Sequence, residues 1–326
     1  MVERNTLVPP ALASSGASRV CIAVPTFRRP AHLEVLLRAL AAQSLPAGCA
    51  LEVAVFDNDR RPSAEALVAA AQTWFPFALR YVHVAAPGLC AVRNAALAYA
   101  RERFDALAMI DDDEVPQARW LGELLRVRRQ TGAAAVIGPV PQVLPAGAPR
   151  WLRAGGFLDL PVYPDAAPIR FGYSGNCLLD LAAVTRLDLH FDAAFNFAGG
   201  EDLLFFRQLI ARGGSMAFAA HAVASETIGT ERTRATYVVA LHFRRGNTLA
   251  LCDRRLEGGR VRLALRAAKA LGRLGLGVLE LAPLAIVRGR AGIVRALCDL
   301  ALGLGALCGL AGYTRQAYRR DDVLER

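Results

Sequence analysis

Lysine is almost absent from this chain. Of its 39 basic residues only Lys269 is lysine, and the others are arginine, whose planar fork suits bidentate contact with carboxylates and phosphates. Residues 1–227 carry 21 bases and 21 acids, whereas residues 228–326 carry 18 bases and 8 acids. The whole net charge of +10 therefore sits in the last third. Aromatics make up only 7% of the chain and are not interleaved with that basic tail. The tail so lacks the stacking platform of a nucleic-acid binder, and no nucleic-acid partner is expected. An anionic membrane or a phosphorylated ligand is the partner left for it. The seven cysteines form no CxxC pair, which excludes a zinc ribbon or a disulfide frame and points to reduced thiols. The first twenty residues hold Glu3 and Arg4 and no long apolar run, so no secretory signal is expected. Residues 1–18, rich in Pro, Ala and Ser, read as a flexible arm.

What is present is apolar residue, 54% of the chain, enough for a large core. Val20–Pro25 (VCIAVP) is a continuous apolar run, as a strand buried on both faces requires. Leu33, Leu36, Leu37, Leu40 and Ala41 then recur at helical spacing. The alternation continues with strands over 51–56, 79–84, 107–110 and 133–140, and helices over 64–74, 90–103 and 120–129. Strands alternating with helices at this pitch imply βαβ units and a mostly parallel α/β sheet. Residues 141–170, with six prolines, read as a long loop. A strand at 173–180, a helix through 202–210, a short strand at 216–220 and a helix over 234–256 follow.

Polar residues stand just past three strand ends: Arg28, Asp57, and the run Asp111, Asp112, Asp113 and Glu114. Strand ends on one sheet edge converge, and that crevice is where ligands bind in open α/β sheets. Four successive acids repel one another, and a divalent cation would neutralise them. The spacing Asp111-x-Asp113 suits Mg²⁺ or Mn²⁺ held by one or two carboxylates plus substrate phosphates. A solvated acidic loop before the next helix is the other reading of the same residues.

In order, the chain carries VPTFRRP, FDND, PGLCAVRNAAL, MIDDDEVP, SGNCLL and GGEDLLFF. Together these resemble the family 2 glycosyltransferases of the GT-A fold, over residues 20–250, and more narrowly the bacterial succinoglycan-type exopolysaccharide glucosyltransferases. The resemblance implies a nucleotide pocket lined by Pro25, Phe27 and Arg28, with Asp57 accepting a hydrogen bond from the base. It implies Arg93 on the donor diphosphate, and Asp111, Asp112 and Asp113 at the ribose and metal, Asp113 as the direct ligand. Gly175 and Asn176 would lie beside the donor sugar, and Gly199 and Gly200 would let the backbone approach the acceptor. Asp202, with Glu201 as the alternative, would be the general base that takes a proton from the attacking hydroxyl. His221 is a further metal or phosphate candidate, although a lone histidine is more often structural. Glu226 and Arg232 match a trailing family pattern without an assigned role. No QxxRW sequence follows, and Phe243–Asn247 (FRRGN) is the nearest to it, which favours addition of a single sugar.

The implied activity is inverting, metal-dependent transfer of a hexose, glucose from UDP-glucose, to a lipid-linked oligosaccharide of a surface glycan. A sugar nucleotidyltransferase wants a glycine-rich phosphate loop after its first strand, and VPTFRRP has no glycine. A non-catalytic glycan- or membrane-binding protein on a degenerate transferase fold would not need its acids intact. The expected division is an arm over 1–18, a transferase domain over 19–256, and an apolar, basic helical region over 257–326. In that region Leu274–Val287 and Ala296–Tyr313 are apolar apart from Glu280 and Asp299. The first, with 14 residues, is short for a spanning helix. Two helices lying in the cytoplasmic leaflet of the bacterial inner membrane are expected, with arginines on lipid phosphates. A hairpin packed on the catalytic domain is the alternative.

Overall fold

The computed structural model describes residues 18–256 and 259–316, so the expected arm lies outside the described residues except for Ser18. The chain opens with β1 (Ser18–Thr26), α1 (Pro30–Ala41), β2 (Cys49–Asp57), α2 (Glu65–Ala71), β3 (Ala78–His83), α3 (Leu89–Ala100) and β4 (Ala106–Ile110). The middle of the chain holds β5 (Glu114–Pro116), α4 (Trp120–Thr131), β6 (Ala135–Ile137), β7 (Gln142–Val143), α5 (Arg150–Gly155), β8 (Asn176–Asp180) and α6 (Leu181–Arg186). It closes with α7 (Glu201–Ala211), β9 (Met216–Phe218), β10 (Ala224–Thr227), α8 (Ala235–Arg255) and α9 (Gly259–Leu310).

Seven strands form one sheet in the order β3-β2-β1-β4-β8-β6-β9. β1 pairs in parallel with both β2 and β4. Chain order reverses there, and the crevice beyond the ends of β1 and β4 is the switch point of the sheet. β8 runs antiparallel to β4 and to β6, so the sheet is mixed around this internal strand. An apolar run buried on both faces reads the same in either direction. β5, β10 and β7 form a separate three-stranded sheet, the last two strands drawing part of the 141–170 loop into regular structure.

The period of two in β1 divides its side chains between two cores. Val20, Ile22 and Val24 pack with Leu33, Leu36, Leu37 and Leu40 of α1 and with Trp120 of α4. Cys21 and Ala23 pack on the other face with Leu97 of α3 and Leu204 and Phe205 of α7. α1 starts at Pro30, whose fixed φ and missing N–H fit the first helical turn. Each of its four buried leucines adds about 1.5–3 kcal/mol of burial. This packing fixes the loop between β1 and α1 against the sheet edge.

The C-terminal segment is a hairpin. α9 is broken at Gly289, where φ is 52° and ψ is −132°, a left-handed backbone that side chains rarely adopt. Arg273 in the first arm donates to Asp299 in the second at 2.6 Å. The second arm lies along α8 through small residues. A Cβ at Gly246 would collide with the Leu302 carbonyl, and one at Gly305 with the Phe243 carbonyl. Asn247 of α8 donates to the Tyr313 carbonyl at 2.8 Å, and Arg254 to the Leu310 carbonyl at 2.6 Å. The hairpin is therefore docked on the rest of the chain, as the alternative sequence reading has it. One apolar face nevertheless stays exposed, including Val278, Leu279, Ile286 and Val287.

Candidate active site

A cleft of about 1060 Å³ opens at the switch point. Pro25, Thr26, Phe27 and Arg29 line it from the end of β1, and Asp111, Asp112, Asp113 and Glu114 from the end of β4. Gly199, Gly200, Glu201 and Asp202 enter it from the start of α7, and Glu226 and Arg232 from beyond β9. The convergence expected of the strand ends is thus present, and the late pair Glu226–Arg232 joins it as an ion pair.

The four acids behave differently. Asp112 is buried and accepts from Thr26 Oγ1 at 2.8 Å and from Arg29 at 3.1 Å. It ties the end of β4 to the end of β1. Asp113 accepts from the same Arg29 at 2.8 Å. Asp111 keeps its side chain 39% exposed to the cleft and lies 3.5 Å from Arg93. The low-dielectric wall around it pushes its carboxyl up to about 6, against the pull of Arg93 and with the push of Asp113, Asp112 and Glu226. Burial first, then Asp111, Asp113 and Glu226, holds Glu114 well above the usual carboxylate range. Glu114 stands directly opposite Glu226 across β5 and β10, and one of its carboxylate oxygens has no partner. Like charges in that cross-strand position oppose each other. The cluster carries more negative charge than Arg29 and Arg93 offset.

The two α7 acids also separate. Glu201 is buried and ion-paired with Arg93, a side chain from α3 that reaches across the cleft floor. Asp202 is half-buried, and its Oδ1 accepts from the Leu203 amide at 2.6 Å, as an acid in the first turn of a helix does. Gly200, at φ +84°, precedes them in contact with Thr248 of α8. A Cβ there would strike the Thr248 methyl, so the close approach of α7 to α8 depends on this glycine.

Several residues expected at the site are occupied elsewhere. Asp57 is fully buried and does not line the cleft. Its oxygens accept from the Ser63 and Ala64 amides at 2.6 and 2.8 Å and from the Tyr81 hydroxyl at 3.0 Å. These contacts hold its own loop together. Asn176 is fully buried too, accepting from Trp120 Nε1 at 2.8 Å and donating to the Pro139 and Ala222 carbonyls. Its amide joins strands through these three contacts. Gly175 sits behind the acids, where a Cβ would lie 2.5 Å from a Glu114 oxygen. Arg28, at φ +52°, turns away to a two-pronged pair with Asp59 at 2.6 and 3.0 Å, and that pair holds the Asp59 carboxyl below its ordinary value. Its neighbour Arg29 takes the cleft position instead. His221 is exposed, outside the cleft and beside Asp165. Arg29, Arg244, Arg245 and Thr248 line the cleft without having been singled out from the sequence as site residues. The adjacent pairs Arg28–Arg29 and Arg244–Arg245, in segments already marked, were the available signal.

Comparison with known proteins agrees with this geometry. A family model described as Glycosyl transferase family 2 matches residues 21–184. The chain is 40% identical over 228 residues to the succinoglycan biosynthesis protein ExoM of Rhizobium meliloti (strain 1021), covering 70% of this chain and 72% of the relative. Among solved structures it resembles the mannosyltransferase PcManGT of Pyrobaculum calidifontis, in complex with GDP-Man and Mn²⁺. The TM-score is 0.63 and the identity 17%, over 91% of this chain and 88% of that one. It also resembles S. aureus TarS 1-349 in complex with UDP, with a TM-score of 0.52 and 15% identity over 90% and 92% of the two chains. Those two likenesses bear on the fold, which is the mixed α/β arrangement of GT-A enzymes. On the family match and the close relative together, the chain is a glycosyltransferase and belongs to glycosyl transferase family 2.

Proposed function

We propose that this chain is an inverting, metal-dependent hexosyltransferase. It moves glucose from UDP-glucose to a lipid-linked saccharide in exopolysaccharide synthesis, at the cytoplasmic face of the bacterial inner membrane. The name of the R. meliloti relative supports the exopolysaccharide role, and the UDP, GDP-Man and Mn²⁺ of the similar structures support a nucleotide-sugar donor with a metal. One observation carries the chemistry. The cleft that holds Asp111 and Asp113 also holds one accessible α7 carboxylate, Asp202, while its neighbour Glu201 is sequestered by Arg93.

The residues fit a divalent cation. Asp111 and Asp113 offer oxygen donors in a cluster whose negative charge is incompletely balanced. Among the described residues no three His, Cys, Asp or Glu side chains converge into a closed metal cage. An open pair of carboxylates is what Mg²⁺ or Mn²⁺ uses when phosphates supply the remaining ligands. Bound there, the ion would supply positive charge against the departing diphosphate.

The chain's own residues do the rest. Pro25 and Phe27 wall the nucleotide end of the cleft. Arg29 holds Asp112 and Asp113, and Arg93 holds Glu201 and Asp111, so the acids are positioned before substrate arrives. The Leu203 amide fixes one oxygen of Asp202. The other accepts the proton of the acceptor hydroxyl as that oxygen attacks the anomeric carbon. The bond to the diphosphate breaks on the opposite face, and a single displacement inverts the centre. The exposed apolar face of the hairpin, flanked by Arg288 and Arg290, would rest on the membrane that carries the acceptor. Ile286 and Val287, beside the break, are 85% and 78% exposed.

A donor screen tests the reading. UDP-, GDP- and dTDP-sugars are offered to the full chain with Mn²⁺ or EDTA, scored by thermal shift and nucleotide release. A Mn²⁺-dependent response to UDP-glucose is expected. Undiminished turnover in excess EDTA would remove the metal, and a response confined to GDP-sugars would remove the donor assignment.

A further inference from the structure

α8 turns one stripe of side chains into the cleft: Leu241, Arg244, Arg245, Thr248 and Leu249. These fall at i, i+3, i+4, i+7 and i+8, one face of a helix. The opposite face, with Gly246 and Asn247, is locked against α9. The direction of the stripe is therefore fixed by packing, and its two arginines cannot swing away with the helix.

Arg245 differs from Arg29, Arg93 and Arg232 in the same cleft. Arg29 has Asp112 and Asp113, Arg93 has Glu201 and Asp111, and Arg232 has Glu226. Arg245 forms no ion pair among the described residues, and its hydrogen bonding is a long 3.5 Å contact to the Phe157 carbonyl. Burial, and Arg244 beside it, lower its pKa. A half-buried guanidinium without a counter-charge is costly, and an anion from outside would offset that cost.

The proposed reaction involves two diphosphates, the donor's and the acceptor's. The donor's belongs at the switch point, with Asp111 and Asp113. Arg245 lies on the α8 wall instead, one helical turn, about 5 Å, from Thr248, which touches Gly200 at the start of the Asp202 turn. One further turn along stands Leu241, with Leu302 of the hairpin in the same cleft. The wall thus presents, in sequence, a base, a pair of guanidiniums and an apolar exit toward the hairpin. An acceptor with a sugar hydroxyl, a diphosphate and a hydrocarbon tail has the same order. We propose that Arg245, with Arg244 beside it, binds the diphosphate of a lipid-diphosphate-linked acceptor. This rests on the transferase reading with a lipid-linked acceptor.

The test uses the full chain in saturating UDP and Mn²⁺, so that the donor site is filled. Farnesyl diphosphate, farnesol and inorganic pyrophosphate are titrated by calorimetry. Farnesyl diphosphate should bind, pyrophosphate should compete with it, and farnesol should bind at least tenfold more weakly. Arg245→Gln should weaken farnesyl diphosphate at least tenfold and leave UDP affinity within twofold, and Arg245→Lys should recover part of the loss. If Arg245→Gln weakens UDP as much as farnesyl diphosphate, the residue serves the donor and the proposal fails. Equal binding of farnesol, or unchanged farnesyl diphosphate binding in the variant, also overturns it. Loss of binding to phosphatidylglycerol vesicles with farnesyl diphosphate binding intact would assign Arg245 to membrane headgroups instead. Should Arg245→Gln fail to fold, Arg245→Lys and Arg244→Gln carry the same comparison. If the wild-type chain binds no UDP, the transferase reading fails separately, and the farnesyl diphosphate titration without nucleotide still decides this one.

Discussion

Replacing the two adjacent acids of α7 one at a time should produce opposite phenotypes. Asp202→Asn keeps the shape, the Leu203 amide contact and the first-turn position, and removes only the capacity to take a proton. General-base catalysis contributes about 10²–10⁴-fold, so kcat should fall by that factor, roughly 3–5 kcal/mol in the barrier. Donor affinity and Tm should barely move. Glu201→Gln acts elsewhere. Both members of the Arg93–Glu201 pair are nearly fully buried, so solvent screening relieves little, and breaking such a pair costs about 3–5 kcal/mol. The Gln carbonyl still accepts one N–H, which places the loss near the lower end. Calorimetric melting with single-turnover kinetics on the same preparations separates the two effects. If Glu201→Gln abolishes turnover with Tm unchanged while Asp202→Asn stays active, the roles are reversed and the assignment fails.

Further outcomes follow from the same contacts. The Asp111 carboxyl sits near 6 in the fold and near 4 unfolded. Between those values the folded state keeps a proton the unfolded chain has lost, so this group's contribution to stability falls as pH rises. Mn²⁺ should therefore raise Tm clearly at pH 7.5, and the shift should shrink below about pH 6; an equal shift at pH 5 would remove Asp111 from the ion's site. Asn176→Ala strands the buried Trp120 N–H and two carbonyls, at about 1–3 kcal/mol each. It should lower Tm strongly, and a lost donor response at unchanged Tm would return Asn176 to the site. Gly246→Val forces a side chain into the Leu302 carbonyl, and overpacking of that kind costs about 1–3 kcal/mol. Limited proteolysis should then release the hairpin, and an unchanged digest would show that α8 and α9 are not held by this contact. Ile286→Glu with Val287→Glu should reduce sedimentation with anionic vesicles without lowering Tm; unchanged sedimentation would move the membrane contact elsewhere.

The sheet was legible because burial on both faces leaves continuous apolar runs, and those runs mark β1, β2 and β4 directly. The direction of β8 was not, since an apolar run carries no sign of parallel or antiparallel pairing. The convergence of Asp111–Asp113 with Asp202 followed from motif order. Which way each strand-end polar residue points did not. Asp57 is claimed by Ser63, Ala64 and Tyr81, Asn176 by Trp120 and two carbonyls, and Arg28 by Asp59. Apart from Ser63 and Ala64, which follow Asp57 within seven residues, these partners are distant in sequence and leave no local trace. Glu201 and Asp202 were ambiguous for the same reason, because the residue that separates them, Arg93, lies on α3. The hairpin was visible as two apolar runs around a basic break. Its docking on α8 rests on the spacing of Gly246, Gly305 and Gly309, a small-residue pattern that sequence alone does not pair.

The central claim is a single displacement driven by one carboxylate, and the anomeric configuration of the product tests it most directly. Wild-type chain, Mn²⁺ and the α-linked UDP-glucose donor are incubated with a lipid-linked saccharide acceptor, and the new linkage is read by proton NMR. The account predicts a β-linkage, inverted relative to the donor. An α-linked product would require a second step or a different mechanism, and would contradict the role given to Asp202.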